Sequence, residues 1–208
     1  MPDFSIEQEF NEPIIGVDEV GRGPLAGPVV SCACIFFDKN LEYKELYFIN
    51  DSKKLSPKKR ILAFQEIYKL KKQKKIQYCL GIASVKEIDK FNILEATKIS
   101  MRRAVKKIQR IPSQLIIDGN IDLKLENYPS KSVIKGDQKS YTIAAASIIA
   151  KIHRDRYMQF LSHRWPFYDW SSNAGYGTKQ HIEQIKEKGI TIHHRKSFEP
   201  IKTLIHSK

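Results

Sequence analysis

The segment "IIGVDEVGRGPLAGPVV", residues 14–30, decides how the chain folds. An apolar, β-branched run from Ile14 to Val17 leads into two acids, Asp18 and Glu19, and then into Gly21-Arg22-Gly23, with Pro24, Gly27 and Pro28 close behind. β-Branched and aromatic residues on both sides of a glycine-rich turn predict two strands, over 13–19 and 27–37, paired as a hairpin-like unit. The first strand then ends in paired carboxylates beside a cation, which calls for a chemical reason.

Working outward, "SPKKRILAFQEIYKLKKQKK" reads as a helix with Ser56 as N-cap, Pro57 at its first position and a lysine-rich end that suits the negative pole of the helix dipole. "IQYCLGIASV" predicts a third strand, "VKEIDKFNILEATKISMRRAVKKI" one or two helices, "SQLIIDG" a fourth strand and "KSVIKGD" a short fifth. "YTIAAASIIAKIHRDRYMQFL" is a long helix whose alanines permit close packing on a sheet. Thr178 caps a further helix through Lys188, with Gly189 as its stop, and a last helix begins at Pro200. No internal repeat and no Gly-, Ser- or Pro-rich linker divides the chain. The expectation is an α/β fold in one domain over 1–208, a mixed sheet covered by helices, with a helical C-terminal portion from about 178.

The 36 Lys and Arg outnumber the 23 Asp and Glu, a net charge of +13 that phosphate backbones attract. Nucleic acid is therefore the leading partner; the competing source of so many lysines is an AT-rich genome. The N-terminus has no basic stretch followed by an apolar one, and no segment approaches the ~20 apolar residues that span a bilayer. A cytoplasmic protein is expected. Cys32, Cys34 and Cys79 are too few for a disulfide framework and poorly spaced for zinc, so they read as reduced core thiols.

Asp18, Asp118 and Asp137 each fall at the carboxyl end of a predicted strand, where ligands collect in open α/β sheets. Three convergent carboxylates raise one another's pKa unless a cation lies between them, and Mg²⁺ or Mn²⁺ prefers such oxygen ligands. Neighbours on a regular strand point to opposite faces, so Asp18 and Glu19 can flank one ion only if the glycines after them let the backbone turn. Taken singly, each acid has a plainer reading: Asp18, Glu19 and Asp118 as turn residues, Asp137 as the cap of the long helix.

In order along the chain, "GVDEVGRGPLAGPVV", "NDSKKLSPKKR", "LIIDGN", "KGDQKSYTIAAASIIAKIHRDRYM", "GYGTKQH" and "HHRKSFEP" resemble ribonuclease HII, the type 2 ribonuclease H family, from about residue 14 to about 201. The resemblance implies a ribonuclease H-like fold and an acidic quartet of Asp18, Glu19, Asp118 and Asp137 that holds two divalent ions, Mn²⁺ or Mg²⁺. It implies hydrolysis of RNA–DNA hybrids and incision 5′ of single ribonucleotides embedded in duplex DNA, leaving 5′-phosphate and 3′-hydroxyl. Gly21, Arg22 and Gly23 are expected to meet the 2′-hydroxyl and nearby phosphates, Tyr176 to stack on the sugar of the next deoxynucleotide, and Lys53 to contact phosphate at the cut. Asp155 matches an acid near the second metal or the leaving group.

For Lys53 the alternative is a solvated turn lysine, and for Asp155 a surface partner of Arg154 or Arg156. His181, His193 and His194 read as structural or phosphate-contacting rather than as general bases. Val20 replaces the family's more frequent alanine. The chain stops soon after "SFEPIKTLIHSK", without the extended C-terminal helices of some members; residues 53–60 and 69–75 offer lysines in their place, and no clamp-binding tail follows Pro200. A monomer is expected. Two rivals remain at this stage: a ribonuclease HIII, which would carry an extra N-terminal domain and a glutamate for one aspartate, and a non-catalytic nucleic-acid binding module of the same fold.

Overall fold

The computed structural model describes residues 1–37, 41, 43–50, 52, 54–126 and 128–206. Strands β1 (Ile14–Val20), β2 (Val29–Phe36), β3 (Ile76–Ala83), β4 (Gln114–Asp118) and β5 (Ser130–Val133) form one sheet in the order β3-β2-β1-β4-β5. β1 pairs antiparallel with β2, and β2 with β3, whereas β4 is parallel to β1 and β5 parallel to β4. The mixed sheet agrees with the order of elements read from sequence.

Helices α1 (Tyr43–Leu46), α2 (Pro57–Lys72), α3 (Val85–Val105), α4 (Tyr141–Arg164), α5 (Trp170–Asn173), α6 (Lys179–Lys188) and α7 (Ile201–His206) surround it. Ser56, Ser84, Ser140 and Thr178 each accept from a backbone N–H as N-caps. α3 is two helices across a kink at Asn92, whose φ is +66° and whose Oδ1 accepts from Leu94 and Glu95 N–H to start the second.

Alternation along β1 sends its side chains to two cores. Ile15 and Val17 join Ala33, Ile35, Leu115 and Ile117 beneath α3, with Met101 and Ala104. On the opposite face Ile14 and Ile116 meet Ile143 of α4, while Cys32, Cys34 and Phe36 pack against α2 and the alanines of α4. α4 lies close to the strand: a Cβ on Gly16 would sit 2.6 Å from the carbonyl carbon of Thr142. Cys32 and Cys34 are buried free thiols; Cys79, on edge strand β3, is only half-covered.

A third core joins Leu25 and Ala26 to Met158 and Leu161 of α4, Tyr168, Trp170, Ile185 and Ile201. It fastens the C-terminal elements onto the loop that follows β1. No helix of the described residues is long and apolar enough to cross a membrane.

Candidate active site

β1 and β4 run parallel with Gly16 opposite Ile116 and Val17 opposite Ile117. Continuing that register by one residue sets Asp18 beside Asp118, on the α4 face. The Asp18 side chain is 4% exposed and takes a hydrogen bond from Ser147 of α4; its Oδ1 also accepts from Glu19 N–H at 2.7 Å. Ser147 Oγ in turn lies 2.8 Å from Ser52 Oγ, so Asp18, α4 and the segment before α2 form one hydrogen-bonded group.

Asp118 Oδ1 accepts from Gly136 N–H at 2.7 Å, which ties the end of β4 to the turn carrying Asp137. The predicted strand end at Asp137 is corrected here: β5 stops at Val133, Lys135 adopts φ +56°, and Asp137 lies in a single 3₁₀ turn, Gly136–Gln138. Its side chain is buried, and it is not the cap of α4, a role filled by Ser140.

Glu19 departs from the geometric expectation. β1 stays paired through Val20, opposite Val30, and the chain turns only at Gly21, so strand alternation starts Glu19 from the α3 side, while its charge still acts on Asp18. Arg22 Nη1 stands 3.5 Å from Glu19 Oε1 at the rim. Among the described residues, no three His, Cys, Asp or Glu side chains are arranged to hold a metal ion.

The donor set nevertheless suits a hard divalent cation. Burial first, then the charges of Glu19 and Asp118, hold the Asp18 carboxyl well above the usual carboxylate range, against the opposing hydrogen bonds from Ser147 and Glu19 N–H. A cation at this edge would relieve that repulsion, and three aspartates and a glutamate offer only oxygen ligands.

The loop after β1 is gripped from inside. At Gly21, with φ +96°, an added Cβ would fall 2.1 Å from Arg154 Nε, so only glycine fits. Arg154 of α4 donates to the carbonyls of Ala26, Pro28 and Ala174 at 2.9–3.0 Å. Arg195 donates to the carbonyls of Gly21, Arg22 and Gly27. Both arginines are fully buried, and desolvation pushes them down to about 10 and about 9 respectively.

Gly23 and Arg22 are exposed; a Cβ on Gly23 would lie 3.4 Å from Tyr176 Cε1, and half of the Tyr176 surface is open to solvent. Gly21 is thus required by the protein's own interior, whereas the fold has room for a side chain at Gly23, beside Tyr176.

The three histidines lie in an aromatic cluster with Trp165, Tyr168 and Trp170. The Tyr176 carbonyl can only accept, so His181 Nδ1 donates to it at 2.8 Å, and His181 Nε2 accepts from Trp170 Nε1–H at 3.0 Å. His194 Nδ1 accepts from Thr191 N–H, which leaves its Nε2 to donate across 3.2 Å to His181 Nε2. Both rings are neutral in this pattern. Burial lowers all three histidines, His194 to about 3, which favours the neutral ring in each.

Asp155 pairs with Lys151 at 2.7 Å and with Arg60 at 3.5 Å. It stands eight residues beyond Ser147 on α4, about 12 Å along the helix axis, and so apart from Asp18. Arg60 also donates to the carbonyls of Ser52 and Leu55, which bracket the loop of Lys53; Lys53 itself lies outside the described residues.

Arg154, Arg195, Ser147 and Arg60 escaped the sequence reading. Arg154 carried a signal: it shares a helical stripe with Ile143, Ser147, Ala150, Met158 and Leu161, all buried. Arg195, in an irregular segment, carried none.

A family model described as ribonuclease HII matches residues 15–201. The chain belongs to the ribonuclease HII family. A ribonuclease HII of Wolbachia pipientis subsp. Culex pipiens is 47% identical over 203 residues, covering 98% of both chains. One from Macrococcus caseolyticus is 48% identical over 96% of this chain and 72% of its own. The crystal structure of ribonuclease H2 from Pyrococcus horikoshii superposes with a TM-score of 0.74 at 26% identity, covering 93% of this chain and 97% of that one. The fold is therefore ribonuclease H-like, and the protein is a type 2 ribonuclease H, an endonuclease that acts on nucleic acid. The family match runs to ribonuclease HII rather than HIII.

Proposed function

We propose that this ribonuclease H hydrolyses the RNA strand of RNA–DNA hybrids and cuts 5′ of single ribonucleotides embedded in duplex DNA, leaving 5′-phosphate and 3′-hydroxyl ends. The observation that carries the reading is the meeting of Asp18, Asp118 and the Asp137 turn at one sheet edge, immediately before a loop whose exposed Arg22 and Gly23 lie beside Tyr176.

Asp18, Glu19, Asp118 and Asp137 would hold two Mg²⁺ or Mn²⁺ ions, which when bound activate water and stabilise the leaving oxygen by Lewis acidity. The chain's own part is positional. Ser147 and the Glu19 amide aim the Asp18 carboxyl, and the Gly136 amide aims that of Asp118. Arg22, at the open rim, supplies a cation for the scissile strand, and Gly23 leaves its backbone open to a 2′-hydroxyl, the group that marks a ribonucleotide. Tyr176 supplies an aromatic face for the following deoxyribose, and Lys53 a phosphate contact. Asp155 acts at a remove, through Arg60, on the loop of Lys53. The net charge of +13 supports salt-dependent binding to the duplex by a cytoplasmic monomer.

The test is cleavage of a labelled DNA duplex containing one ribonucleotide, with Mg²⁺ or Mn²⁺, with chelator, and with Asp18→Asn in parallel. One metal-dependent cut 5′ of the ribonucleotide, absent in the variant, is the expected result. Binding without cutting under either metal would overturn it.

A further inference from the structure

The loop 21–28 and Tyr176 belong to different parts of the chain, yet one dipeptide is tied to both, to the second through His181. Arg195 sends its guanidinium to the carbonyls of Gly21, Arg22 and Gly27, and its backbone N–H to Leu25 O at 2.8 Å. His194 forms an antiparallel bridge with Ala26 and, through His181 Nε2 and Nδ1, reaches the Tyr176 carbonyl.

The peptide bonds after Gly21 and Arg22 are trans, the cis bonds of the described residues being Glu12-Pro13 and Glu199-Pro200. A planar trans peptide points its N–H opposite to its C=O. With both carbonyls drawn inward onto one buried guanidinium, the N–H groups of Arg22 and Gly23 are turned outward, on residues exposed to solvent. Among the described residues neither amide donates to the protein. A pair of successive amides facing outward is a cradle for an oxyanion or a hydroxyl oxygen.

We propose that Arg195 and His194 are positioning residues for ribonucleotide recognition: Arg195 aims the Arg22 and Gly23 amides at the sugar-phosphate of the ribonucleotide, and His194 sets Tyr176 at the matching distance. The arrangement has the features the role requires. Arg195 is planar and multidentate, so it fixes carbonyl directions that a point charge would not. It meets carbonyls alone among the described hydrogen bonds. The neutral tautomers of His181 and His194 give one hydrogen-bonded chain from Thr191 N–H to Tyr176 O, in which His181 Nε2 is shared between the Trp170 and His194 donors. The inference rests on the reading of the loop and Tyr176 as the part of the site that detects the ribonucleotide.

The experiment compares wild type, Arg195→Lys and His194→Gln on two substrates: a DNA duplex with one embedded ribonucleotide, and a hybrid of an all-RNA strand with DNA. In the hybrid every sugar carries a 2′-hydroxyl and no deoxy junction exists, so aim at one sugar matters less. Arg195→Lys, which keeps the charge and loses the fork, is expected to lower kcat/KM on the embedded ribonucleotide about 10-fold more than on the hybrid, the scale of a lost hydrogen bond. The loss should fall mainly in KM, and His194→Gln should shift the same ratio less. A parallel fall on both substrates, the signature of simple structural damage, or an unchanged ratio would overturn the proposal. If Arg195→Lys does not fold, the ratio in His194→Gln decides by the same rule. A wild-type protein that leaves the embedded ribonucleotide uncut refutes both this inference and the reading beneath it, whereas failure confined to the variants refutes the inference alone.

Discussion

Asp18 and Arg195 are both buried ionisable side chains on either side of the same loop, and their surroundings are opposite in kind. Asp18 sits among like charges, and two hydrogen bonds do not offset its burial beside Glu19 and Asp118. Arg195 has three carbonyls converging on its guanidinium and a phenylalanine ring, Phe198, 4.9 Å from its carbon. One region is electrostatically unfinished, the state of a site that takes a cation; the other is complete, the state of a scaffold that must not move. Binding and aiming are thus divided between two adjoining pieces of structure.

The sharpest way to break this comparison is at Asp18. Asp18→Asn is expected to lower metal-dependent cleavage by at least about 10²-fold, the loss typical of removing one preorganised electrostatic group. In metal-free protein the same change should raise stability, on the order of 1 kcal/mol, because it removes a buried carboxylate repelled by two others. Activity assays and thermal unfolding in chelator check the two halves. A destabilised, metal-free Asp18→Asn would mean that the acidic edge is as structurally complete as the clamp.

Gly21→Ala probes the other side. Its Cβ would collide with Arg154 at φ +96°, where non-glycine residues are already strained, so a loss of roughly 2–4 kcal/mol is expected. Gly23→Ala, whose Cβ would only touch Tyr176, should fold normally and lose substrate discrimination instead. Urea unfolding of the two variants separates them; equal destabilisation would erase the distinction between the inward and outward glycines.

The two regions also differ in how visible they are in the sequence. The hairpin, the helices capped by Ser56 and Thr178 and the edge where acids gather follow from local rules: β-branched runs, Ser or Thr before a helix, glycine at a turn. The position of Asp137 did not, because Lys135 enters the left-handed region without glycine and ends β5 four residues early. Nor did the side of the sheet that Glu19 faces, which depends on whether a turn begins before or after Val20. The clamp was the least visible. Arg195 owes its role to carbonyls 168 to 174 residues away in the chain, a contact that no periodicity encodes.

Acid should distinguish the regions further. Burial holds His194 near 3, and holds His181 and His193 below the ordinary value. A base with a depressed folded pKa stays neutral in the fold while the unfolded chain takes up a proton, so its contribution to stability is whole above about pH 6.5 and is lost as pH falls toward the folded value. Each such histidine can remove up to about 1.4 kcal/mol per pH unit in that window. Stability measured between pH 7 and 5 should therefore fall, and the slope should lessen in His194→Gln; an unchanged slope would place the acid sensitivity elsewhere.

The smallest effect is expected at Asp155, and it bears on where the active site stops. Its carboxylate is about one-third exposed and pairs with Lys151 and Arg60, so Asp155→Asn should cost no more than about 1 kcal/mol, as partly exposed ion pairs do. Arg60 keeps its bonds to the carbonyls of Ser52 and Leu55, and Ser52 keeps Ser147, so the loop stays attached to the helix that supports Asp18. Cleavage should then fall less than about 10-fold, since the change reaches the reacting strand only through that loop. A loss as deep as that of Asp18→Asn, with stability unchanged, would carry the acidic edge two helical turns further along α4 and make Asp155 part of the unfinished region rather than of its support.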